Sequence, residues 1–329
     1  MRLAFETSWG RALIGDSTEL LESLDDGTLN LVITSPPFSL QRKKGYGNVG
    51  QREYTQWISG FAGLVYRKLR DDGSFVLDIG GAYERGVPTR SLYNFRVAIH
   101  LCDELGFFLA QDFYWYNPSK LPSPIEWVNK RKLRAKDAVN NVWWFSKTEW
   151  PKANVSNVLV EYSGRMRKLL EDPQSFYKPT KRPSGHDVGT AFGRDNGGAI
   201  PSNLLQIPNT ESNGRYLSGC KAASVEPHPA RFPAKLPEFF IRFLTDPGDL
   251  VLDIFGGSCT TGSVAETEER HWITCDLNPG FVAAGIFRFL PELDGASARP
   301  LYDEIVGGGC VDLRESASPR QKALFSLCP

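Results

Sequence analysis

The stretch Leu250-Val-Leu-Asp253-Ile-Phe255-Gly256-Gly257-Ser258-Cys-Thr260-Thr261-Gly262 decides the fold class. Its apolar start reads as a buried strand, its two glycines as a tight turn, and Thr260 to Glu268 as a helix. A second apolar run, His271 to Cys275, ends at Asp276, 23 residues after Asp253. Strand, glycine turn, helix and strand in succession form one unit of a parallel α/β sheet. The same alternation continues outward. Lys235 to Thr245 and residues 279–290 read as helices. Toward the amino terminus, Arg11 to Ile14 reads as a strand ending at Gly15-Asp16. Ser17 is placed to cap a helix through Leu24, and Leu29 to Thr34 reads as a buried strand. Tyr54, Trp57, Phe61, Leu64 and Val65 recur at helical spacing, which predicts a helix over 53–70 stopped by Asp71-Asp72-Gly73. Ser74 to Ile79, a helix over 91–105 and Phe107 to Tyr116 complete the pattern. The expected fold is α/β, with a doubly wound, mostly parallel sheet.

Residues 117–230 differ in character: Pro, Asn and Gly become frequent and helical periodicity fades, apart from Arg165 to Leu170. Val142 to Phe145 retains the look of a core strand. Between 151 and 225 there are ten Lys/Arg against six Asp/Glu, a modest basic bias. The expected organisation is therefore two halves of one catalytic domain, 1–116 and 228–290, around an inserted recognition region at 117–227. A tail over 291–329 has little periodicity and is expected to be loosely ordered. At 329 residues the chain suits one large domain with an insertion. The formal net charge is zero, so any basic surface must be local. Six cysteines (Cys102, Cys220, Cys259, Cys275, Cys310 and Cys328) form no C-x-x-C pair and read as reduced thiols, not as a metal or disulfide framework. No signal peptide and no membrane-length apolar run are found, which leads to the expectation of a cytoplasmic protein without a membrane partner.

The glycine turn after Asp253 lets the backbone approach a ligand closely. Asp276, at the next strand end, is suited to both hydroxyls of a ribose. The turn lacks G-x-G-x-x-G and Gly-Lys-Ser/Thr, which disfavours dinucleotides and phosphate-rich nucleotides. S-adenosyl-L-methionine, an adenosine with an amino-acid tail and no phosphate, fits best. More than two hundred residues earlier, Thr34-Ser35-Pro36-Pro37-Phe38 follows the strand Leu29 to Thr34. The prolines lack N–H donors and hold the chain extended. The Ser35 hydroxyl and the Pro36 carbonyl remain as two acceptors, matching the two hydrogens of one NH2 group. Phe38 offers a flat face for a base. Asp78, in Val76-Leu-Asp78-Ile-Gly-Gly81, ends the next strand and is a candidate to orient Ser35 or accept its proton. A nucleobase amine is a weak nucleophile, and this grip would aim its lone pair at a sulfonium methyl. No Pro-Cys dipeptide exists, which speaks against covalent attack on a cytosine ring.

These motifs resemble those of β-group DNA amino-methyltransferases, in which the amine motif precedes the recognition region and the cofactor motif follows it. His228-Pro-Ala-Arg-Phe232-Pro233 fits the same plan. Ser-Pro-Pro-Phe is similar to the N4-cytosine branch. Ser35-Pro-Pro-Phe-Ser-Leu-Gln-Arg-Lys-Lys44, Gly80-Gly-Ala-Tyr83, Trp115-Tyr-Asn-Pro-Ser-Lys-Leu-Pro-Ser-Pro-Ile-Glu-Trp127 and Arg182-Pro-Ser-Gly-His-Asp187 resemble PvuII-type modification methyltransferases. The resemblance spans about residues 8 to 290. It implies cofactor roles for Asp16 (toward the adenine), Phe232, Asp253, Phe255, Gly256, Gly257, Ser258, Thr260, Thr261 and Asp276. It implies amine-gripping roles for Ser35, Pro36, Pro37 and Phe38, and a relay role for Asp78. Cys259 departs from the asparagine expected there.

A cytosine amine inside a duplex is paired, so the implied reaction requires base flipping. Lys130, Arg131, Lys132 and Arg134 form the densest basic stretch and are candidates for phosphate contact, or equally a solvated surface. Arg182, His186, Asp187, Arg194, Asn203, Asn209, Asn213 and Arg215 are candidate groove readers. Double-stranded DNA is the expected partner, with a CAGCTG-like palindrome and a cognate restriction endonuclease implied by the resemblance. No metal is expected. Competing readings are adenine-N6 methylation, amine methylation of a protein or small molecule, and a silent DNA-binding methyltransferase fold.

Overall fold

The computed structural model describes residues 1–39, 49–172, 193–210, 214–291 and 293–314. Ten strands form one sheet. In chain order they are β1 (Arg2–Glu6), β2 (Gly10–Ile14), β3 (Leu29–Thr34), β4 (Leu69–Gly80), β5 (Phe108–Tyr116), β6 (Val139–Ser146), β7 (Leu204–Gln206), β8 (Leu250–Asp253), β9 (His271–Asp276) and β10 (Val311–Asp312). Their spatial order is β10-β1-β2-β9-β8-β3-β4-β6-β5-β7. The central run β2-β9-β8-β3-β4 is parallel throughout. β1 lies antiparallel to β2, and β6 lies antiparallel to both β4 and β5. The mostly parallel, doubly wound expectation therefore holds at the centre, with antiparallel strands toward both edges.

Side chains alternate across the pleat, and each strand feeds two cores. In β3, Leu31 and Ile33 face one side while Leu29 and Val32 face the other. The first core is closed by α5 (Arg215–Ala222), α6 (Lys235–Leu244), α7 (Thr260–Thr267) and α8 (Pro279–Gly285). The second is closed by α1 (Ser17–Ser23), α2 (Tyr54–Lys68) and α3 (Tyr93–Asp103). On α2 the inward residues are Tyr54, Ile58, Ala62 and Val65, spaced three or four apart as an apolar stripe requires. Tyr54 meets Tyr93 of α3 edge-on, with ring centroids 5.0 Å apart.

Three local features differ from expectation. The helix-capping group at the first turn is Asp16, whose Oδ1 accepts from Thr18 N at 2.7 Å, and Ser17 is the first helical residue. A carboxylate one position earlier satisfies the same unpaired N–H groups. The helix over 54–68 ends before Asp71-Asp72-Gly73, and those residues belong to the long strand β4. The terminal strand β1 escaped notice because it is short and sits beside the next strand.

The tail is ordered over 295–312. α9 (Gly295–Val306) buries Ala298 and Ile305, and β10 adds a parallel strand to β1. Single apolar residues far apart in sequence gave no periodic signal there. Within 117–227, Val139–Ser146 lies in the sheet, and Asn154–Ser202 forms a second compact unit. That unit holds α4 (Gly164–Glu171), capped by Ser163, and a bridge between Val160 and Ala199.

Ile305 is fully buried although it belongs to the tail. Ile305→Ala is expected to destabilise the protein by about 2–4 kcal/mol in urea unfolding, as for other core truncations. A loss under roughly 0.5 kcal/mol, typical of surface positions, would mean that the tail is not part of the core.

Candidate active site

The strands β3, β4, β8 and β9 end side by side, so the two motifs separated by more than two hundred residues become neighbours. Their contact is a buried hydrogen-bond cluster centred on Asp253. Thr34 Oγ1 donates to Asp253 Oδ1 at 2.6 Å, and Thr261 Oγ1 donates to Oδ2 at 2.6 Å. Phe255 N adds a third donor at 3.1 Å. Asp253 is 1% exposed, and burial raises its pKa from 3.8 to about 6 against the pull of these donors. The carboxylate thus ties the amine-motif strand to the glycine loop.

The loop itself is set by close backbone approaches. Gly256 N donates to Cys275 O at 2.9 Å, and a Cβ at Gly256 would stand 2.9 Å from that of Thr274. Gly257 has φ +47, a left-handed conformation that glycine adopts without strain. Gly257 N donates to Asp276 Oδ2 at 3.0 Å, and Asn278 N donates to Oδ1 at 2.9 Å. Burial nevertheless raises the Asp276 pKa above the ordinary carboxylate value. Each oxygen of Asp276 keeps a lone pair, so a diol can still be gripped.

Cys259 also takes a left-handed conformation, φ +58, and its Sγ lies 3.3 Å from Thr274 Oγ1. Burial pushes its thiol up to about 12, so the thiol is a packing group and not a nucleophile. Arg288 fastens the loop from behind: its Nε donates to Ser258 O at 2.6 Å and its Nη2 to Ser258 Oγ at 3.1 Å.

At the end of β4, Ser35 Oγ donates to Asp78 Oδ2 at 3.0 Å, and Asn140 Nδ2 donates to Asp78 Oδ1 at 3.1 Å. Asp78 is 4% exposed, and burial raises its pKa from 3.8 to about 6, with both donors and the Lys120 charge pulling it down. Because the Ser35 hydrogen points to Asp78, the serine oxygen turns acceptor lone pairs to the cavity. The Phe38 ring lies where a Cβ on Gly80 would sit, 2.5 Å from its Cε2. Glycine at position 80 therefore makes room for that ring.

Both motifs line one cavity of about 950 Å³. Ser35, Pro36, Pro37, Phe38 and Asp78 form part of its wall, and Asp16, Phe232, Asp253, Phe255, Gly256, Gly257, Ser258, Thr260 and Asp276 form another part. Thr261 is buried and directed to Asp253. Trp57 and Phe61 press on Phe255, with ring centroids 5.5 and 5.1 Å away. Sequence reading missed Asn140, Lys120 and Arg288 and gave no role to His228. Asn140 carried no signal, because an asparagine opening a strand looks ordinary until Asp78 stands opposite. Among the described residues no cluster of His, Cys, Asp and Glu is suited to a metal. No helix among them is long and apolar enough to cross a membrane.

The candidate DNA-contacting residues are dispersed. Lys130 and Arg131 both pair with Glu126, at 3.3 and 3.0 Å, and stay exposed. Lys132 is exposed at φ +55. Arg134 lies over the Tyr83 ring, 4.4 Å from its centroid, and donates to the Pro88 carbonyl. Arg194 is exposed in the 154–202 unit, and Arg215 is exposed at the start of α5. Asn203 Nδ2 and Asn209 Nδ2 donate to the Asp112 and Arg231 carbonyls. Arg182, His186, Asp187 and Asn213 lie outside the described residues.

A doubly wound sheet with an amine motif and a glycine loop at one strand edge defines an amino-methyltransferase arrangement. The chain belongs to the DNA methylase family of N6- and N4-amino methyltransferases, whose model matches residues 29–287. It is 63% identical to the type II methyltransferase M.PvuII of Proteus hauseri, over 94% of this chain and 93% of that one. The solved structure of the cytosine-N4-specific PvuII DNA methyltransferase superposes with a TM-score of 0.78 at 55% identity, covering 95% of this chain and 98% of the other. The type II methyltransferase M.ScaI of Streptomyces caespitosus is 24% identical over 88% of this chain and 84% of its own length.

The Asp253 cluster makes a pH-dependent prediction. Its folded carboxyl holds a proton more tightly than the unfolded one near 3.8. Its contribution to stability is therefore full below the unfolded pKa and lost as pH rises through about 6. The threonine hydroxyls offset that loss by favouring the ionised form. Thr34→Val and Thr261→Val should each cost about 1–3 kcal/mol near pH 8 and clearly less near pH 4, read by urea unfolding. Equal losses at both pH values would refute the ionised cluster.

Proposed function

We propose that this protein transfers a methyl group from S-adenosyl-L-methionine to the N4 amine of a cytosine flipped out of double-stranded DNA. The observation that carries this reading is the Ser35–Asp78–Asn140 chain opening into the same cavity as the Asp276 loop. The likeness to M.PvuII and to the solved cytosine-N4-specific PvuII methyltransferase supports cytosine over adenine. A CAGCTG-like site guarded against a cognate restriction endonuclease is what the resemblance implies.

The residues suit the cofactor on their own chemistry. Gly256 and Gly257 present bare backbone, and Asp276 has free lone pairs for two ribose hydroxyls. Asp16 stands at the helix start beside this loop, with only Oδ1 taken by Thr18 N. When bound, S-adenosyl-L-methionine supplies an electrophilic methyl on a positively charged sulfur. The protein supplies position and proton handling. Ser35 Oγ and the Pro36 carbonyl accept the two N4 hydrogens, which localises the amine lone pair. Phe38 stacks on the base. As the amine accepts the methyl, one N4 proton would pass to Ser35 Oγ, whose own proton would move to Asp78. Asn140 holds Asp78 in register for that step. A carboxyl with a pKa of about 6 can receive the proton and return it to solvent at neutral pH.

Incubation with S-adenosyl-L-methionine and a mixed-sequence duplex, followed by nucleoside mass spectrometry, is expected to yield N4-methylcytosine. N6-methyladenine would overturn the choice of base, and no modified base with tight cofactor binding would support a silent fold.

Asp78→Asn is expected to slow single-turnover transfer by roughly 100-fold or more while leaving cofactor affinity unchanged. In the wild-type protein the rate should fall as pH drops through about 6, because the raised carboxyl becomes protonated there. A flat profile between about pH 5 and 8 would remove Asp78 from the proton path.

A further inference from the structure

One charged group in the base-side half of the cavity is used by neither the amine grip nor the glycine loop. Lys120 lines the cavity together with Ser35, Pro36, Asp78 and Asn140. It is half-buried, and its Nζ makes no hydrogen bond or salt bridge with any described residue. The neighbouring cations are engaged. Arg90 pairs with Asp137 at 3.0 Å, and Arg134 covers Tyr83. Lys136 Nζ donates to the carbonyls of Pro118 and Lys120, both at 3.1 Å.

These bonds hold the loop that displays Lys120. Asn117 N donates to Ala138 O at 2.9 Å, Lys120 N to Asn117 O at 3.2 Å, and Ser119 N to Asn117 Oδ1 at 3.1 Å. The loop is therefore shaped before any substrate arrives. Burial lowers the Lys120 pKa below the usual lysine value, with Asp137 and Asp78 opposing it. A half-buried ammonium lacking an acceptor carries an uncompensated desolvation cost, which a substrate acceptor would relieve. Several other side-chain donors on the wall have partners: Asn140 Nδ2 holds Asp78, Asn209 Nδ2 holds Arg231 O, and Arg231 Nη1 holds His228 O.

The cytosine reading above supplies the acceptor, and the inference rests on it. With both N4 hydrogens taken by Ser35 and Pro36, a cytosine still presents the N3 and O2 acceptors. Adenine gripped by its N6 amine presents N1 and then a carbon-bound hydrogen. We propose that the Lys120 ammonium donates a hydrogen bond to the O2 carbonyl of the flipped cytosine and so selects cytosine over adenine. Ser35 and Pro36 recognise an amine on any base, and Lys120 recognises the pyrimidine carbonyl. Its role is specificity and positioning: it takes up neither the methyl nor the N4 proton, and it acts on the proton path only through the charge that lowers the Asp78 pKa.

The test is a double-mutant cycle on single-turnover N4 methylation. One axis is wild type against Lys120→Met, which keeps the aliphatic stem and removes the ammonium. The other is a duplex carrying cytosine at the methylated position against one carrying 2-thiocytosine, whose sulfur is a weak acceptor. Lys120→Met should lower methylation of the cytosine duplex by roughly 30-fold, the size expected for a charged hydrogen bond. Sulfur should slow the wild type by about 10-fold and Lys120→Met by less than about twofold. Lys120→Arg, which keeps a cationic donor, should retain sensitivity to sulfur.

Calorimetric titration with S-adenosyl-L-methionine and the melting temperature should match wild type for both variants. An equal sulfur effect in wild type and Lys120→Met would overturn the proposal, as would loss of cofactor affinity or of folding in both variants. If N4-methylcytosine forms and the cycle is additive, the Lys120 contact alone fails. If the wild type yields only N6-methyladenine, the cytosine reading fails and the contact fails with it.

Discussion

The buried carboxylate of Asp253 is the constraint on which the site depends. It accepts from Thr34, Thr261 and the Phe255 backbone, so one group holds the end of β3, the start of α7 and the loop between β8 and α7. A carboxylate in a dry interior is costly unless its lone pairs are satisfied, and here three donors satisfy them. That cost fixes geometry: any shift of one strand end against the other would strip a donor from a buried charge. The methyl-accepting and cofactor-holding walls can therefore be positioned relative to one another although their sequences lie far apart.

A second buried carboxylate, Asp78, is built differently. Its partners are Ser35 and Asn140, and its field includes the Lys120 charge. Both carboxyls are raised to about 6 by burial, yet Asp253 is enclosed by structural donors while Asp78 reaches the cavity through a serine hydroxyl. Similar pKa values thus accompany different tasks, and the partners decide which task each has. Asp276 completes the set with two backbone donors and lone pairs left for a ligand.

The sheet makes this arrangement possible. Parallel neighbours β3, β4, β8 and β9 bring their carboxyl ends to one edge, where ligands bind in folds of this kind. The antiparallel β6 then delivers Asn140 opposite Gly80, one pleat from Asp78. Aromatic packing of Trp57 and Phe61 on Phe255 stiffens the far side of the loop. Most of the described wall consists of loop and turn residues anchored at the ends of these strands and helices.

The sequence by itself determined the alternating strands and helices, the glycine turn, and the residues Ser35, Pro36, Phe38, Asp78, Gly256, Gly257 and Asp276. These are legible because each signal is local: a period of two or 3.6, a proline pair without donors, a glycine pair before a helix. Only the tertiary structure decided that Asp253 and Thr34 share a bond, that Asn140 faces Asp78, that Arg288 braces Ser258, and that the tail enters the core through Ile305. Sequence spacing carries no information on those meetings, since each joins elements through the sheet order or across a core. Lys120 illustrates the difference. In sequence it is one lysine among many near a basic run, and in the fold it is the ammonium beside Asp78 on a loop tied by Lys136.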